Sequence, residues 1–332
     1  MTRILRPLTV LVLLGAVLGL ALIFGQPHGL AQLAAQVDIV HDVEMGRGGG
    51  RTLHAEIARP KHPPKMPMPA VIWIHGGGWQ EGTHKQNGAA ALALFGYFTA
   101  SVEYRLSGEA KWPAQIEDCK LAVRWLRANA AKYHVDPDRI GVWGMSAGAH
   151  LVSCLGVLGE AKELEGNGGY DGISSRVQAV ASYCGAFDFT DDRTGNDLIR
   201  KLCTKLCGGT ITAKADAWRQ ASPLLHITPQ CPPFLLVHGD KDNVAPIAQS
   251  EQMEAALRKA GVPVEFIRVH GGGHGMKAPF GQPPAEPDVQ TLYKKVVAFF
   301  DQHLKNESAD RVRAAAPPAV ARLSRMRSEL FN

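Results

Sequence analysis

Short apolar runs alternate with helical segments over most of this chain, and each run leads into a polar or glycine-rich loop. The runs are Ala70–Ile74, Phe98–Tyr104, Arg139–Trp143, Val177–Cys184, Pro233–His238 and Val264–Val269. Strands that are buried on both faces of a parallel sheet read as continuous apolar sequence, and the helices between them cover those faces. The alternation therefore predicts an α/β fold with a mostly parallel central sheet flanked by helices on both faces.

The segments around these runs predict the rest of the architecture. Two extended runs within Val37–Ala58, separated by Gly46–Gly50, predict a hairpin, and Pro60–Pro69 reads as a proline-rich linker. Helical spacing predicts helices over Pro113–Tyr133, Pro246–Ala260 and Asp288–Leu304. Phe187–Gln230 lacks a strong strand signal, so we expect a small insertion or cap over the site there.

The formal charge of +5 is concentrated at the two ends of the 332-residue sequence. Arg3 and Arg6 supply two of these charges and residues 305–332 supply a net three, so the net charge of residues 32–304 is zero. Nucleic-acid-binding proteins usually concentrate positive charge on their folded domain, so this class is not favoured.

The N-terminus has the composition of an export signal. Arg3 and Arg6 precede the apolar run Thr9–Phe24, and Gly29-Leu30-Ala31 offers small residues for cleavage. The run is shorter than the about 20 residues of a spanning helix, although an uncleaved membrane anchor remains the alternative. We expect an exported protein, periplasmic or secreted, with a membrane as partner only if the segment stays attached.

Six cysteines are present, an even number that an exported protein can pair. Cys203 and Cys207 are close enough to bridge across a turn, and the alternative is that the cysteines are small buried apolar residues. The sequence contains neither a paired Cys-x-x-Cys spacing nor His-Glu-x-x-His, and we predict neither a metal nor an organic cofactor.

Gly144-Met145-Ser146-Ala147-Gly148 fits the Gly-x-Ser-x-Gly nucleophile elbow and lies between a predicted strand and a predicted helix. Such a turn lifts the serine hydroxyl clear of the sheet. His75-Gly76-Gly77-Gly78-Trp79 ends an earlier strand, and its backbone N–H groups, with that of Ala147, can form an oxyanion hole. A flexible loop is the plainer interpretation of the glycines, and His75 itself is interpreted as structural.

The remaining partners of a serine nucleophile follow the last two strands of the sheet. Asp240 and Asp242 both lie on the loop after Pro233–His238, and either can orient a base. His274 lies in a glycine-rich loop one strand later, whereas His270 stands at the strand end itself. The order serine, aspartate, histidine is the order of α/β-hydrolases. A metal pair of His270 and His274 is a further alternative, weakened by the three glycines between them.

These segments together resemble the bacterial feruloyl/acetyl-xylan esterase-like branch of the α/β-hydrolases, which is related to hormone-sensitive-lipase-type esterases. The resemblance spans about Val37–Leu304 and departs from the family at Ala149, where relatives often have glycine. The matching segments are His75–Trp79, Glu103–Leu106, Ile116–Cys119, Asp136–Ile140 and Gly144–His150. It implies Gly77, Gly78 and Ala147 as oxyanion donors and, from the family's spacing to Pro246, Asp242 as the acid.

From these observations we expect an export segment at 1–31, a catalytic domain at 37–304 and a basic tail at 305–332. The predicted activity is serine carboxylic-ester hydrolysis by Ser146, His274 and Asp242, on small acyl or carbohydrate-linked esters. An acylpeptidase-like or arylformamidase-like hydrolase is the alternative within the class. A non-catalytic ligand-binding protein on the same scaffold is the alternative outside it.

Overall fold

The computed structural model describes residues 35–191 and 196–305. Eight strands form one sheet in the order β1-β2-β4-β3-β5-β6-β7-β8. The strands from β4 onward in this order pair in parallel, while β1 and β2 pair with their neighbours antiparallel. The strands are β1 (Val37–Gly48), β2 (Arg51–Pro60), β3 (Met68–Ile74), β4 (Phe98–Val102), β5 (Val135–Met145), β6 (Ala179–Tyr183), β7 (Phe234–Gly239) and β8 (Val264–Val269). The predicted mostly parallel sheet is therefore confirmed.

Two boundaries at the N-terminal side of the sheet differ from the prediction. The hairpin turn consists of Gly49 and Gly50 alone, because β1 contains register shifts that let Gly46, Arg47 and Gly48 continue the pairing with β2. Both turn glycines have positive φ, as a tight two-residue hairpin requires. The predicted linker Pro60–Pro69 is three residues too long, because Pro60 ends β2 and Met68 and Pro69 begin β3.

The reason for the shorter linker is backbone pairing at the start of β3. Met68 pairs with Val135 of β5, and its N–H donates to the carbonyl oxygen of His134 at 2.9 Å. The Met68 side chain is buried, so a residue that looks like linker in the sequence begins the strand.

Helices cover both faces of the sheet. Ile116, Leu151 and Leu257 pack in one apolar layer, and Leu292 and Phe300 pack in the layer on the other side. The helices are α1 (Ala114–Ala128), α2 (Ala130–Tyr133), α3 (Ala147–Val157), α4 (Asp197–Cys207), α5 (Ala215–Gln220), α6 (Ala248–Lys259) and α7 (Val289–Leu304), with short 3-10 helices at Ala90–Phe95, Lys162–Leu164 and Pro223–His226. Polar groups cap some of them: the Asp288 side chain accepts from the N–H of Thr291 at the start of α7.

The segment between β6 and β7 contains α4, α5 and a 3-10 helix, and its described residues form no strand. It is the insertion predicted at Phe187–Gln230. Ile199 and Leu202 of α4 reach the pocket beside Ser146, so this part of the insertion lies over the candidate site.

All six cysteines fall within the described ranges, and all six are buried and unbridged. Cys203 and Cys207 lie on α4 and do not form the bridge that their spacing allows. The interpretation as buried apolar side chains applies instead. No helix between residues 35 and 305, outside the gap at 192–195, is long and apolar enough to cross a membrane. The predicted export segment at 1–31 and the tail beyond Lys305 lie outside the described residues.

Candidate active site

Ser146 stands on a sharp turn between β5 and α3. Its backbone has φ 58° and ψ −121°, a conformation that L-residues adopt rarely and that functional turns stabilise. A Cβ on Gly148 would lie 2.0 Å from the carbonyl oxygen of Ile74, and one on Gly144 would lie 2.5 Å from the backbone of Gly148. Glycines on both sides of Ser146 therefore let strand and helix approach closely enough to form the turn.

His274 joins Ser146 to Asp242 through two hydrogen bonds. The distance from His274 Nε2 to Ser146 Oγ is 2.8 Å, and that from Nδ1 to Asp242 Oδ2 is 2.7 Å. His270 instead contacts Asp240, 3.2 Å from Nδ1 to Oδ2, and its side chain is 70% exposed. The structure thus brings together Ser146, Asp242 and His274 from distant parts of the sequence. The two histidines contact different carboxylates, His274 that of Asp242 and His270 that of Asp240.

The Asp242 carboxylate is fully enclosed and accepts four hydrogen bonds. Its side chain is 0% exposed. Oδ1 accepts from the backbone N–H groups of Val244 at 2.8 Å and Ala245 at 2.9 Å, while Oδ2 faces His274 and also His238 Nε2 at 3.1 Å. Burial alone raises the pKa of this carboxyl, but the donors outweigh it and hold the pKa well below its usual range. The group is therefore a permanent anion beside the imidazole.

His238 is a supporting residue that the sequence reasoning missed. It is fully buried at the end of β7, with Nε2 close to the carbonyl oxygen of Ala245 at 2.9 Å and Nδ1 2.7 Å from Ser250 Oγ. These contacts fix the imidazole so that its Nε2–H points at the same Asp242 oxygen, Oδ2, that faces His274. The available signal was a histidine at the end of an apolar strand, four residues before the acid.

The electrostatic surroundings of His274 favour its protonated form. Burial lowers the pKa of the imidazole, but the Cys184 side chain and the Asp242 carboxylate raise it, and the net shift is upward. Cys184 Sγ donates to the backbone carbonyl oxygen of His274 at 3.1 Å. One ligand atom each of Cys184, Asp242 and His274 lies within 4.8 Å of the others, as a metal site requires. Each of these side chains already makes the hydrogen bonds described above.

The glycine-rich loop after β3 lies beside the nucleophile. Gly78 and Ala147 line the pocket with Ser146, and Gly77 lies one residue back from it with φ 105°. Within the described residues, the N–H groups of Gly77, Gly78 and Ala147 donate to no other group of the protein. Two of them, Gly78 and Ala147, therefore bring N–H groups without a partner among the described residues to the pocket that contains Ser146. His75 is buried and stacks on Tyr104, which agrees with its structural interpretation.

The pocket over Ser146 encloses about 280 Å³, part of it open to solvent, and is mainly apolar. Its lining comprises Gly78, Trp79, Ser146, Ala147, Cys184, Ala186, Ile199, Leu202, Val244, Ala245 and His274. Trp79 Nε1 donates to His150 Nδ1 at 3.2 Å, and His150 Nε2 in turn donates to the Ala221 carbonyl oxygen at 2.7 Å. Buried His150 has its pKa lowered to about 4, so it remains neutral and fixes the indole in place. Two further aromatic side chains of the insertion, Phe187 and Trp218, are buried in the core and do not line this pocket.

Comparison with known proteins finds esterases among the proteins that this chain resembles. The BD-FAE family model matches residues 56–257. Esterase LipC of Mycobacterium tuberculosis is 31% identical over 229 residues, covering 66% of this chain and 56% of LipC. Esterase LipQ of the same organism is 31% identical over 239 residues, covering 71% of this chain and 55% of LipQ. This chain spans about half the length of these curated relatives.

A solved structure, the truncated form of a carbohydrate esterase from gut microbiota, is similar with a TM-score of 0.70 and 29% sequence identity. The similarity covers 81% of this chain and 97% of that one. It confirms the predicted α/β-hydrolase fold.

Proposed function

Since the chain belongs to the BD-FAE family, we propose that it is a serine carboxylic-ester hydrolase that works through an acyl-enzyme on Ser146. The observation that carries the proposal is the hydrogen-bond chain from Ser146 through His274 to the enclosed Asp242 carboxylate. Esterases LipC and LipQ support the reaction class, although they are about twice as long as the matched region.

Acylation begins when Ser146 Oγ attacks the ester carbonyl carbon and His274 Nε2 takes the hydroxyl proton. Nδ1–H of His274 donates to Asp242, which holds the imidazole in the required tautomer and stabilises the imidazolium. The carbonyl oxygen becomes an oxyanion, and the N–H groups of Gly78 and Ala147, with Gly77, are its donors. Because these donors make no other bond to residues 35–191 or 196–305, no bond within this part of the chain has to break when the charge develops.

Acylation ends when the tetrahedral intermediate collapses and His274 Nε2–H gives its proton to the departing alkoxide, which leaves as the alcohol. Deacylation then repeats these steps with water as the nucleophile. The imidazole then takes a proton from water as its oxygen attacks the acyl carbon on Ser146. Collapse of the second tetrahedral intermediate returns the proton to Ser146 Oγ and releases the carboxylic acid.

We infer that the substrates carry short acyl groups, and that the alcohol is a small molecule or a carbohydrate. Apolar side chains of Trp79, Ile199, Leu202 and Val244 enclose the pocket, which suits an acyl chain rather than a sugar. The space over Ser146 is small, about 280 Å³ even with its solvent-open part counted. The carbohydrate esterase from gut microbiota supports a sugar as the alcohol.

Covalent labelling by a fluorophosphonate tests the proposal, because it requires an activated serine. We expect labelling of the wild-type protein at Ser146 and none of Ser146→Ala. Turnover of nitrophenyl acetate by the folded variant should fall by about 10⁶, the usual cost of losing this nucleophile. A panel with acetylated xylan, methyl ferulate and an aryl formamide then separates esterase from formamidase activity. A folded protein that is neither labelled nor active is a binding protein on this scaffold, which contradicts the proposal.

We also infer that the protein is exported. The support is Arg3 and Arg6 before the apolar run Thr9–Phe24, followed by small residues at Gly29–Ala31. N-terminal sequencing of protein recovered from the periplasm or medium should find a start after Ala31. Recovery of the full-length chain in the membrane fraction supports the anchor, and recovery in the cytosol contradicts export.

A further inference from the structure

The helix α4 forms one wall of the pocket, and it comes from the insertion rather than from the sheet. Its residues Ile199 and Leu202 line the pocket together with Gly78 and Val244. A Leu202 methyl group lies 3.1 Å from the point where a Cβ on Gly78 would stand, so the helix is in close contact with the glycine-rich loop after β3. The position of α4 therefore decides how much room an acyl chain has.

Asn196 connects the start of α4 to the loop that holds the acid. Its Oδ1 accepts from the N–H of Ile199 at 2.9 Å and so caps the helix, while its Nδ2 donates to the carbonyl oxygen of Val244 at 2.9 Å. The N–H of the same Val244 donates to Asp242 Oδ1 at 2.8 Å. Val244 thus accepts a hydrogen bond from the residue that caps α4 and donates one to the acid.

The far end of α4 is attached to the loops on the other side of the pocket. Lys205 Nζ donates to Gln80 Oε1 at 2.7 Å, next to the glycine-rich loop. The carbonyl oxygen of Leu206 accepts from the N–H of Trp112 at 2.9 Å. Polar contacts therefore attach both ends of the helix, and its apolar face is held across the pocket between them.

We propose that Asn196 is a positioning residue that seats α4 against the acid loop, and that the seated helix makes the enzyme selective for short acyl groups such as acetyl. The inference rests on the proposed ester hydrolysis at Ser146. An apolar pocket discriminates against an extra methylene by about 10- to 200-fold, and only while its wall cannot move aside. Losing the bond from Asn196 to Val244 frees the wall and also disturbs the support of Asp242.

Asn196→Asp separates this role from helix capping. Aspartate caps a helix as well as asparagine does, so α4 keeps its cap. The carboxylate loses the donor to the Val244 carbonyl oxygen and repels it. Asn196→Ala loses both functions. Asn129 is the matched control, because its Nδ2 donates to a backbone carbonyl oxygen, that of Trp125, at the end of α1 away from the pocket.

The measurement is kcat and KM for nitrophenyl acetate, butyrate and octanoate, with the rates of labelling by short-chain and long-chain alkyl fluorophosphonates. We expect Asn196→Asp to lower the acetate-to-octanoate ratio of kcat/KM by about five- to tenfold, the value of one hydrogen bond. The acidic limb of its pH profile should move to lower pH, because a displaced Asp242 supports the His274 imidazolium less. Asn129→Asp should change neither quantity.

Two results overturn the inference: an unchanged chain-length ratio and pH profile in Asn196→Asp, or a change that occurs in Asn196→Ala alone and so belongs to the helix cap. Either result leaves the proposed function intact if the wild-type protein is labelled and hydrolyses the esters. A wild-type protein that no fluorophosphonate labels overturns both proposals together.

Discussion

Asp242→Asn replaces the carboxylate by an amide of the same shape, and the surrounding donors decide how that amide must point. Oδ1 of the native residue accepts from the N–H groups of Val244 and Ala245. An amide nitrogen there would face two donors, so the asparagine places its oxygen at that position and its NH2 toward His274. The imidazole must then accept at Nδ1, which leaves its proton on Nε2, facing Ser146.

An imidazole in that tautomer cannot take the proton of Ser146. The same exchange in a serine protease lowers turnover about 10⁴-fold, or about 5.4 kcal/mol at 1.36 kcal/mol per tenfold change. Here the Asp242 side chain is 0% exposed, so water cannot substitute for the lost acceptor. We therefore expect kcat for nitrophenyl acetate at neutral pH to fall by about 10⁴, with KM little changed.

Asp240→Asn is the matched control. Asp240 accepts from the N–H of Gly271 at 2.8 Å and contacts the exposed His270, so its loss leaves the chain from Asp242 to Ser146 intact. We expect near wild-type turnover from this variant. An Asp242→Asn protein that keeps more than about a tenth of wild-type kcat, or an equally inactive Asp240→Asn, refutes the reasoning from tautomers.

Three further perturbations test the site and its scaffold. The value of kcat/KM should fall as pH drops, with a midpoint above 6.5, because the base must be neutral and the pKa of His274 is raised; a midpoint below 6.5 contradicts this electrostatic account. Gly148→Ala should lower the free energy of unfolding in urea by about 3 kcal/mol or more, since its Cβ would lie 2.0 Å from the Ile74 carbonyl oxygen. Glu165→Gln should lower it by about 3 kcal/mol, because it removes the anion that pairs with Lys120, whose side chain is 0% exposed; unchanged urea midpoints would exclude either effect.

The parallel part of the sheet could be predicted because burial on both faces leaves a local mark on the sequence. Val264–Val269 was predicted with the bounds that the structure gives, and Asp288 was placed at the start of a helix that it caps. The hairpin was less predictable. Its glycines are distributed over β1 as well as the turn, and only the pairing with β2 shows which of them bend the chain.

The site could be predicted to the extent that each residue follows a strand at the same edge of the sheet. Ser146, His274 and Asp242 lie on loops that this topology brings together, and the structure places them within hydrogen-bond distance. The choice between Asp240 and Asp242 needed the family's spacing. Each acid contacts a histidine, Asp240 His270 and Asp242 His274, and the sequence alone does not indicate which of the two histidines is buried.

Contacts between distant segments could not be predicted. Nothing near Asn196 in sequence indicates Val244 as its partner, because the two residues meet only when the insertion folds back over the sheet. For Cys203 and Cys207, the sequence allowed a contact that the structure does not contain. Their spacing allowed a bridge across a turn, but a helix forms there and directs both thiols into the core.

The unbridged thiols affect how this protein is inactivated irreversibly. Burial raises the pKa of Cys119, Cys154 and Cys203 well above the usual range and that of Cys207 to about 12, so these thiols are unreactive while the chain is folded. Unfolding exposes six thiols at once, and under oxidising conditions they can form disulfides that the folded chain does not contain. When such disulfides make unfolding irreversible, the half-life of the folded protein is set by the rate of unfolding rather than by the unfolding equilibrium. A reductant in the assay buffer should therefore restore reversibility after heating.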